Sequence, residues 1–496
     1  MTNCTKCVLL DSVSMHCQKG HNIFPTINCP DFTPSSIMSN AVIQISETQK
    51  TKITTSDVSG ETKPIIEKIA VRPQKENIDF KSDYIFQGLR YEQVFDPYTR
   101  KTEFVYYNTE KDLFIRKPFI ETGKQKIYPI NDDFLKKGLI VLPQITNSYG
   151  TIKNLDDEIR AFISHWVDIS EEHLKIIPGY IRFTWIADAS NTAPYLRTLA
   201  PFGQGKTRYL DVVGGLCRKP IFCGGSVTSA VIFRLMDLWK GTLVLDEFNL
   251  EDKSEDTKAI IQILNQGFER GKAVPRCDPD DHNKVEAFDP YGPKIFASTK
   301  EYRSLAFESR CLREVLQASS EKPVQLSKEF FYDRLKLQNK LLMYRFKTID
   351  TINADTINRF NFGFIQPRIR QVYGPLLLVY PEEDSMRDEL VMTMTNRSNE
   401  VKSDNTDTTE GMVFNAYIKA TNSPSSEIIT PSIICTIMKN QHPDIFEKLT
   451  PSRVGRVLRT LGFKVIPTTV RDKKIRLVTL DDKVREKLLQ RYNIDD

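Results

Sequence analysis

From Asp83 to Phe119, apolar and polar residues alternate along "DYIFQGLRYEQVFDPYTRKTEFVYYNTEKDLFIRKPF". That period predicts short strands, with turns at "DPYT" and "ETGK". The pattern changes to helical spacing in "LDDEIRAFISHWVDI", and from Tyr195 to about Leu316 strands and helices alternate, as in an α/β domain. "EFFYDRLKLQNKLLMYRFK" and "QPRIRQVYGPLLLVY" again have helical spacing. "MVFNAYIKA", "TPSIICTIMKNQ" and "TPSRVGRVLRTLGFK" predict three amphipathic helices, and "KVIPTTVRDKKIRLVTL" a basic hairpin. These patterns divide the chain into a β-rich region (78–150), an α/β core (151–320), a helical lid (321–395) and a C-terminal domain (412–496). The runs 34–77 and 396–411, rich in Ser, Thr, Lys and Glu or in Asn and Asp, are expected to be linkers. Residues 1–33 form a cysteine-bearing segment of their own.

The length of 496 residues allows several cores, and 40% hydrophobic with 27% charged residues is ordinary for a globular protein. No apolar run approaches the roughly 20 residues that span a bilayer. "MTNCTKCVLLDSV" lacks the basic-then-apolar order of a secretory signal, so the expected location is cytoplasmic, with no membrane partner. A net charge of +5 is too mild to name a partner. Of nine cysteines, Cys217, Cys223, Cys277, Cys311 and Cys435 are scattered among apolar neighbours and are expected to be reduced, buried thiols.

The densest chemistry lies in "YLRTLAPFGQGKTRYLDVVGGL", a strand, loop and helix with Gly-Lys-Thr at the loop's end. A phosphate loop works because backbone N–H groups and a helix N-terminus converge on the anion. The stretch Ala200, Pro201, Phe202, Gly203, Gln204, Gly205, Lys206, Thr207 is therefore the candidate ATP-binding loop. Its glycines allow close approach, Lys206 reaches the β- and γ-phosphates, and the Thr207 hydroxyl serves Mg²⁺. The pattern calls for glycine where Ala200 stands; an extended strand end tolerates the methyl group. Forty residues after Lys206, the apolar strand "TLVL" ends in Asp246 and Glu247. Asp246 is the candidate Mg²⁺ ligand through water, and Glu247 the carboxylate that polarises the attacking water.

"GPKIFASTKEY" is another apolar strand, ending in Ser298 and Thr299, and is followed by "SLAFESRCLREVL". With these motifs in this order, the segment from about Leu155 to Tyr380 resembles the AAA+ ATPases, in particular those of mobile-element and phage replication. The resemblance implies that Thr299 or Ser298 senses the γ-phosphate and that Arg310 is an arginine finger entering a neighbouring subunit's site. It also implies a second sensor in the lid, Arg368, with Arg370 as the competing choice, and a ring of six subunits. The fold class is thus α/β: an AAA+ P-loop core with a helical lid, a small zinc motif, a β-rich region and a C-terminal winged helix.

Cys4, Cys7, Cys17 and Cys29 supply four thiolates suited to structural Zn²⁺, with His16 and His21 able to replace one. At the other end, the helix–helix–helix–hairpin order resembles a winged helix-turn-helix. Thr450 suits an N-cap and Pro451 the first helical turn, leaving Arg453, Arg456 and Arg459 outward as DNA contacts. Arg471, Lys473, Lys474 and Arg476 would contact phosphates from the wing. Within the core, "RGKAVPRCDPDDHNKVEAFDPYG" predicts a strand–loop–strand insertion whose Arg276 and Lys284 are further DNA candidates, while His282 belongs to a solvated turn. The expected activity is ATP hydrolysis that drives unwinding or movement of DNA in the replication of a plasmid, phage or integrated element, with replication proteins as further partners. An origin-binding initiator or helicase loader is the alternative. A nucleotide-switched regulator has less need of a carboxylate such as Glu247.

Overall fold

The computed structural model describes residues 77–123, 125–201, 203–224, 227–246, 254–277, 285–300, 305–316, 322–381, 384–423, 428–470, 473–492 and 494. The zinc motif, Phe202, Glu247, His282, Lys284 and Arg471 lie outside these residues, as does all but the end of the run 34–77.

The β-rich region comprises β1 (Ile78–Lys81), β2 (Asp83–Phe86), β3 (Leu89–Asp96), β4 (Lys101–Asn108), β5 (Leu113–Lys117), β6 (Ile120–Glu121) and β7 (Lys126–Pro129), then a short α1 (Asp133–Lys136). Strands β2 to β5 form an antiparallel meander, and β7 pairs in parallel with β1 and antiparallel with β6. The meander has two apolar faces. Tyr91, Phe104 and Tyr106 close a small core of their own, whereas Val94 and Val105 join the main core.

That main core surrounds a five-stranded parallel sheet. Helices α2 (Ile152–Trp166) and α3 (Glu171–Ile186) precede β8 (Tyr195–Leu199). The chain continues through α4 (Lys206–Val213), β9 (Ile221–Cys223), α5 (Ser229–Trp239), β10 (Leu243–Asp246), α6 (Glu255–Gln266), the hairpin β11 (Val274–Cys277) and β12 (Val285–Phe288), β13 (Lys294–Ser298), α7 (Leu305–Glu308) and β14 (Cys311–Val315). Their order across the sheet is β14-β8-β13-β10-β9, all parallel. Helices cover both faces, so the strands are buried almost throughout, as the continuous apolar runs require. Helix α8 (Lys328–Thr348), α9 (Asp355–Arg359) and α10 (Pro367–Tyr373) form the helical part that follows.

Helix α11 (Ser385–Thr406) corrects one expectation. Most of the polar run 396–411, expected to be a linker, belongs to this helix and continues into α12 (Thr409–Thr421). No Gly or Pro interrupts 385–406, the Asp384 carboxylate caps the start, and Leu390, Met394 and Ser398 are buried against the rest of the lid. Ser398 Oγ also accepts from Gln366 N at 3.0 Å. Composition announces solvation of the outer face; the buried stripe decides the structure.

Beyond α12 come α13 (Pro431–Gln441), α14 (Pro443–Phe446), α15 (Pro451–Thr460), the antiparallel hairpin β15 (Lys464–Val470) and β16 (Lys473–Thr479), and α16 (Asp482–Tyr492). These close a separate core around Val413, Phe414, Ile434, Met438, Val454 and Leu458.

The meander is bolted to the α/β core by buried charge. Glu92 accepts from Arg218 Nη2 at 2.8 and 3.0 Å and from Arg345 Nε at 2.6 Å. Asp83 accepts from Lys219 Nζ at 2.7 Å and Arg218 Nη2 at 2.5 Å, and Asp188 takes both Arg345 terminal nitrogens at 2.7 Å. Burial works against ionising Glu92 and Asp83, but the surrounding cations outweigh it and hold both carboxyls below their usual range.

A second buried polar chain ties α4 to β14. His173 Nε2 and Tyr209 Oη are 2.7 Å apart, and His173 Nδ1 lies 3.6 Å from Glu314, whose carboxylate is engaged by Ser170 N and Oγ at 2.7 and 2.9 Å. Burial pushes the imidazole down to about 3, so it stays neutral in the fold. The unfolded chain takes up a proton near pH 6.5, and below that pH it binds more protons than the folded one. Stability therefore falls as pH drops from 6.5 toward 3, by about 2 kcal/mol at pH 5 from this residue alone. Urea unfolding of His173→Gln should show a smaller loss between pH 7 and 5 than the wild type; parallel profiles would mean that His173 is protonated in the fold.

Candidate nucleotide site

The chain leaves β8 at the carboxyl edge of the sheet, where open α/β sheets hold their ligands. Ala200 continues the strand: it is fully buried and its N–H donates to the Ser298 carbonyl at 3.1 Å. The left-handed turns fall instead at Gly203 (φ 77°) and Gly205 (φ 81°), the latter capping α4. Any side chain at these two positions would be strained, which explains why glycine is needed there and not at position 200. Lys206 opens α4 with its Nζ donating to the carbonyls of Ala200 and Pro201 at 3.2 and 3.1 Å. The ammonium thus lies folded over the loop that would cradle phosphates.

Thr207 Oγ1 donates to Asp246 Oδ2 at 2.7 Å, bridging the loop to the end of β10. Asp246 Oδ1 is buried and makes no hydrogen bond. A hydroxyl and a carboxylate brought together with one oxygen unused suit a hydrated Mg²⁺, so the residues present fit that ion. Pairing at β13 distinguishes Ser298 from Thr299. Ser298 Oγ accepts from Arg197 Nη2 at 3.3 Å and donates to the Lys300 carbonyl at 2.9 Å, and Arg197 in turn binds Glu308 at 2.8 Å. Ser298 is thereby committed to the face of the sheet opposite α4.

The structure does not bring Arg368 to this loop, although the lid resemblance implies a second sensor there. Arg368 Nε donates to Ser309 Oγ at 3.0 Å, and its guanidinium lies 5.2 Å from the Phe268 ring centre. Arg310 lies over the same ring at 5.7 Å. The Arg310 carbonyl accepts from Tyr195 N, at the first residue of β8. Five residues of strand separate Tyr195 from Ala200, roughly 16 Å at the usual rise. Both arginines therefore sit at the amino edge, far from the phosphate loop of their own chain. Burial and the charge of Arg310 push Arg368 below its usual value, against the pull of Glu269. Arg310 Nε, moreover, is buried without a hydrogen-bond partner. Arg370 is spent on the Ile365 and Gly363 carbonyls at 2.5 and 2.9 Å.

Arg208 carries a positioning role that the motif alone does not announce. Its guanidinium donates to the carbonyls of Pro323 and Val324 at 2.7 Å and of Trp166 at 3.4 Å. It thereby fixes α2 and the approach to α8 against the start of α4; its place next to Thr207 was the only available signal.

No protein-family model matches the chain, and no curated protein matches it. Solved structures do. The C-terminal region of NrS-1 is 10% identical over 79% of this chain and 97% of its own, with a TM-score of 0.37. SCCmec type IV Cch, described as an active helicase, is 12% identical over 77% of this chain and 79% of its own, at 0.32. A full-length MCM homolog from Methanopyrus kandleri is 11% identical over 63% and 70%, at 0.30. Likeness at these scores bears on neither activity nor partners.

In the C-terminal domain, Thr450 Oγ1 caps α15 by accepting from Arg453 N at 3.3 Å, and Pro451 occupies the first turn. Val454 and Leu458 are buried, leaving Arg453, Arg456 and Arg459 exposed on one side. Lys474 and Arg476 are exposed on β16, which also carries Lys473. Arg276 is different: its guanidinium lies 4.6 Å from the Phe233 ring centre, folded onto α5. Its neighbour Cys277, expected to be buried, is exposed at the end of β11, unlike Cys217, Cys223, Cys311 and Cys435. No group of metal-holding side chains occurs among the described residues, and no helix there is long and apolar enough to cross a membrane.

Proposed function

We propose that the chain is an ATPase of the AAA+ type that acts on DNA as a motor. The observation that carries this reading is the Thr207–Asp246 bridge beside the Gly203–Gly205–Lys206 loop, at the carboxyl edge of a parallel sheet. Lys206 and the α4 N-terminus would hold the phosphates, and Thr207 and Asp246 would hold Mg²⁺, which supplies charge neutralisation during phosphoryl transfer. Glu247 would polarise water and Thr299 sense the γ-phosphate. Arg310 and Arg368, displayed at the opposite edge, would enter the site of the next copy in an oligomer. The cationic side of α15 with Lys474 and Arg476 supports contact with duplex phosphates and groove, as in a winged helix. Replication of a mobile element, a hexameric ring and a Zn²⁺-bound N-terminus belong to the same reading through the resemblance.

The test is steady-state ATP hydrolysis with and without single- or double-stranded DNA. Asp246→Asn should reduce turnover at least roughly 10³-fold while leaving nucleotide binding measurable. Stimulation by single strands supports a translocating motor; stimulation by duplex alone supports the initiator or loader, which the basic side of α15 also suits. Absence of hydrolysis by the assembled wild type would overturn the reading. Arg456→Ala should weaken duplex binding and flatten its salt dependence by about one unit of slope.

A further inference from the structure

A groove unconnected with the phosphate loop runs between the β3–β4 turn, the segment after α1, and α8. Its volume is 440 Å³, within the range of roughly 300–1,000 Å³ typical of ligand sites. Three rings line it while remaining accessible: Tyr98, Phe331 and Tyr332 are 40%, 51% and 37% exposed. Four cations line it as well, namely Arg100, Lys136, Lys328 and Arg334, and no carboxylate among the described residues does.

Helix α8 sorts its side chains to produce this arrangement. Lys328, Phe331, Tyr332, Leu335 and Gln338 recur at helical spacing on the groove side. Glu329 and Asp333 face a different crevice, against Phe162 and His165 of α2. Arg334 lies over Phe330 and Phe331 with ring centres at 5.4 and 5.2 Å, and its Nε is buried with no hydrogen-bond partner. Burial pushes this guanidinium down to about 10, against the pull of Asp211. An apolar floor with exposed rings and cations along its border matches a ligand with flat apolar faces on an anionic backbone. Unpaired bases present such faces, whereas a duplex keeps them stacked inside.

We propose that this groove binds single-stranded DNA, with one or two unstacked bases on Tyr98, Phe331 and Tyr332 and the flanking phosphates on Arg100, Lys136, Lys328 and Arg334. This site is separate from the cationic side of α15, and it rests on the DNA part of the reading above. It would give a motor a grip on the strand outside its sheet-edge insertion.

The experiment uses the full chain and a fluorescent oligo-dT, with anisotropy read at fixed salt. Arg100→Glu with Lys136→Glu, both exposed, should lower affinity for the single strand roughly tenfold or more. Tyr332→Ala should do likewise, whereas duplex affinity and DNA-free ATP hydrolysis should stay unchanged. Arg100→Lys with Lys136→Arg should retain binding. Ultraviolet cross-linking of an oligonucleotide carrying 5-iododeoxyuridine should mark peptides containing Tyr98, Phe331 or Tyr332. Unchanged affinity with cross-links elsewhere would overturn the groove and leave the DNA motor standing. An equal loss for duplex and single strand would reduce the effect to general electrostatics and also overturn it. A wild type that binds no DNA but hydrolyses ATP would remove both proposals, leaving the ATPase.

Discussion

ATP hydrolysis should return when Lys206→Ala protein, inactive alone, is mixed with Arg368→Ala protein, also inactive alone. The expectation follows from where the two side chains lie. Lys206 is at the carboxyl edge of the sheet and Arg368 at the amino edge beside Arg310, with the length of β8 between them. If Arg368 completes a neighbour's site, an Arg368→Ala subunit keeps a sound phosphate loop and receives its arginine from a Lys206→Ala neighbour. Random mixing in equal amounts places that pair at about a quarter of the interfaces. A planar cation at the transferred phosphoryl group is worth roughly 10³–10⁵ in rate, so even this fraction stands well above either parent. The same experiment with Arg310→Ala should behave identically. If Arg368 served its own chain's nucleotide, every site in the mixture would lack one essential group, and the mixture would stay as inactive as its parts. Arg310→Ala would then be rescued and Arg368→Ala would not.

Glu92→Ala should be the most destabilising single exchange in the β-rich region. The carboxylate is almost wholly buried and accepts from both Arg218 and Arg345. Removing it leaves Arg218, Lys219 and Arg345 packed together, with Asp83 and Asp188 as the remaining acids. Breaking a buried pair from one side costs about 3–5 kcal/mol, because the surviving charge has lost both water and partner. That corresponds to a fall in melting temperature of roughly 6–20 °C in a domain of this size. Replacing Glu92 by Leu together with Arg345 by Met should cost less than Glu92→Ala alone, since the double exchange removes charge of both signs. A Glu92→Ala melting curve within a degree of the wild type would show that the cluster is not what joins the meander to the core.

The two predictions differ in how far the sequence foretells them. The geometry of the candidate loop is legible because it is local: Gly203, Gly205, Lys206 and Thr207 fall within a single turn of chain, and Asp246 ends a strand visible as an apolar run. That Ser298 is held by Arg197 and the Lys300 carbonyl needed the fold, since no motif encodes those partners. Where Arg368 lies is not legible, because the lid's docking depends on Ser309 and Phe268, residues distant in sequence. The polar half of α11 reads as a linker because few buried positions, Ser398 among them, mark its inner side. Asp83, Glu92, Asp188, Arg218 and Arg345 meet across more than 250 positions, with no spacing to announce them.

Placing phosphate loop and arginines at opposite edges of one sheet also limits how copies can associate. A head-to-tail contact is heterologous: the surface that gives differs from the surface that receives. If the arginines serve a neighbour as proposed, a twofold dimer cannot satisfy both surfaces at a shared seam, and an open chain would end with one subunit whose nucleotide lacks them. Only closure supplies every member. Turnover per subunit should therefore rise with concentration as incomplete chains close, so the isolated subunit would hold ATP with little means of spending it.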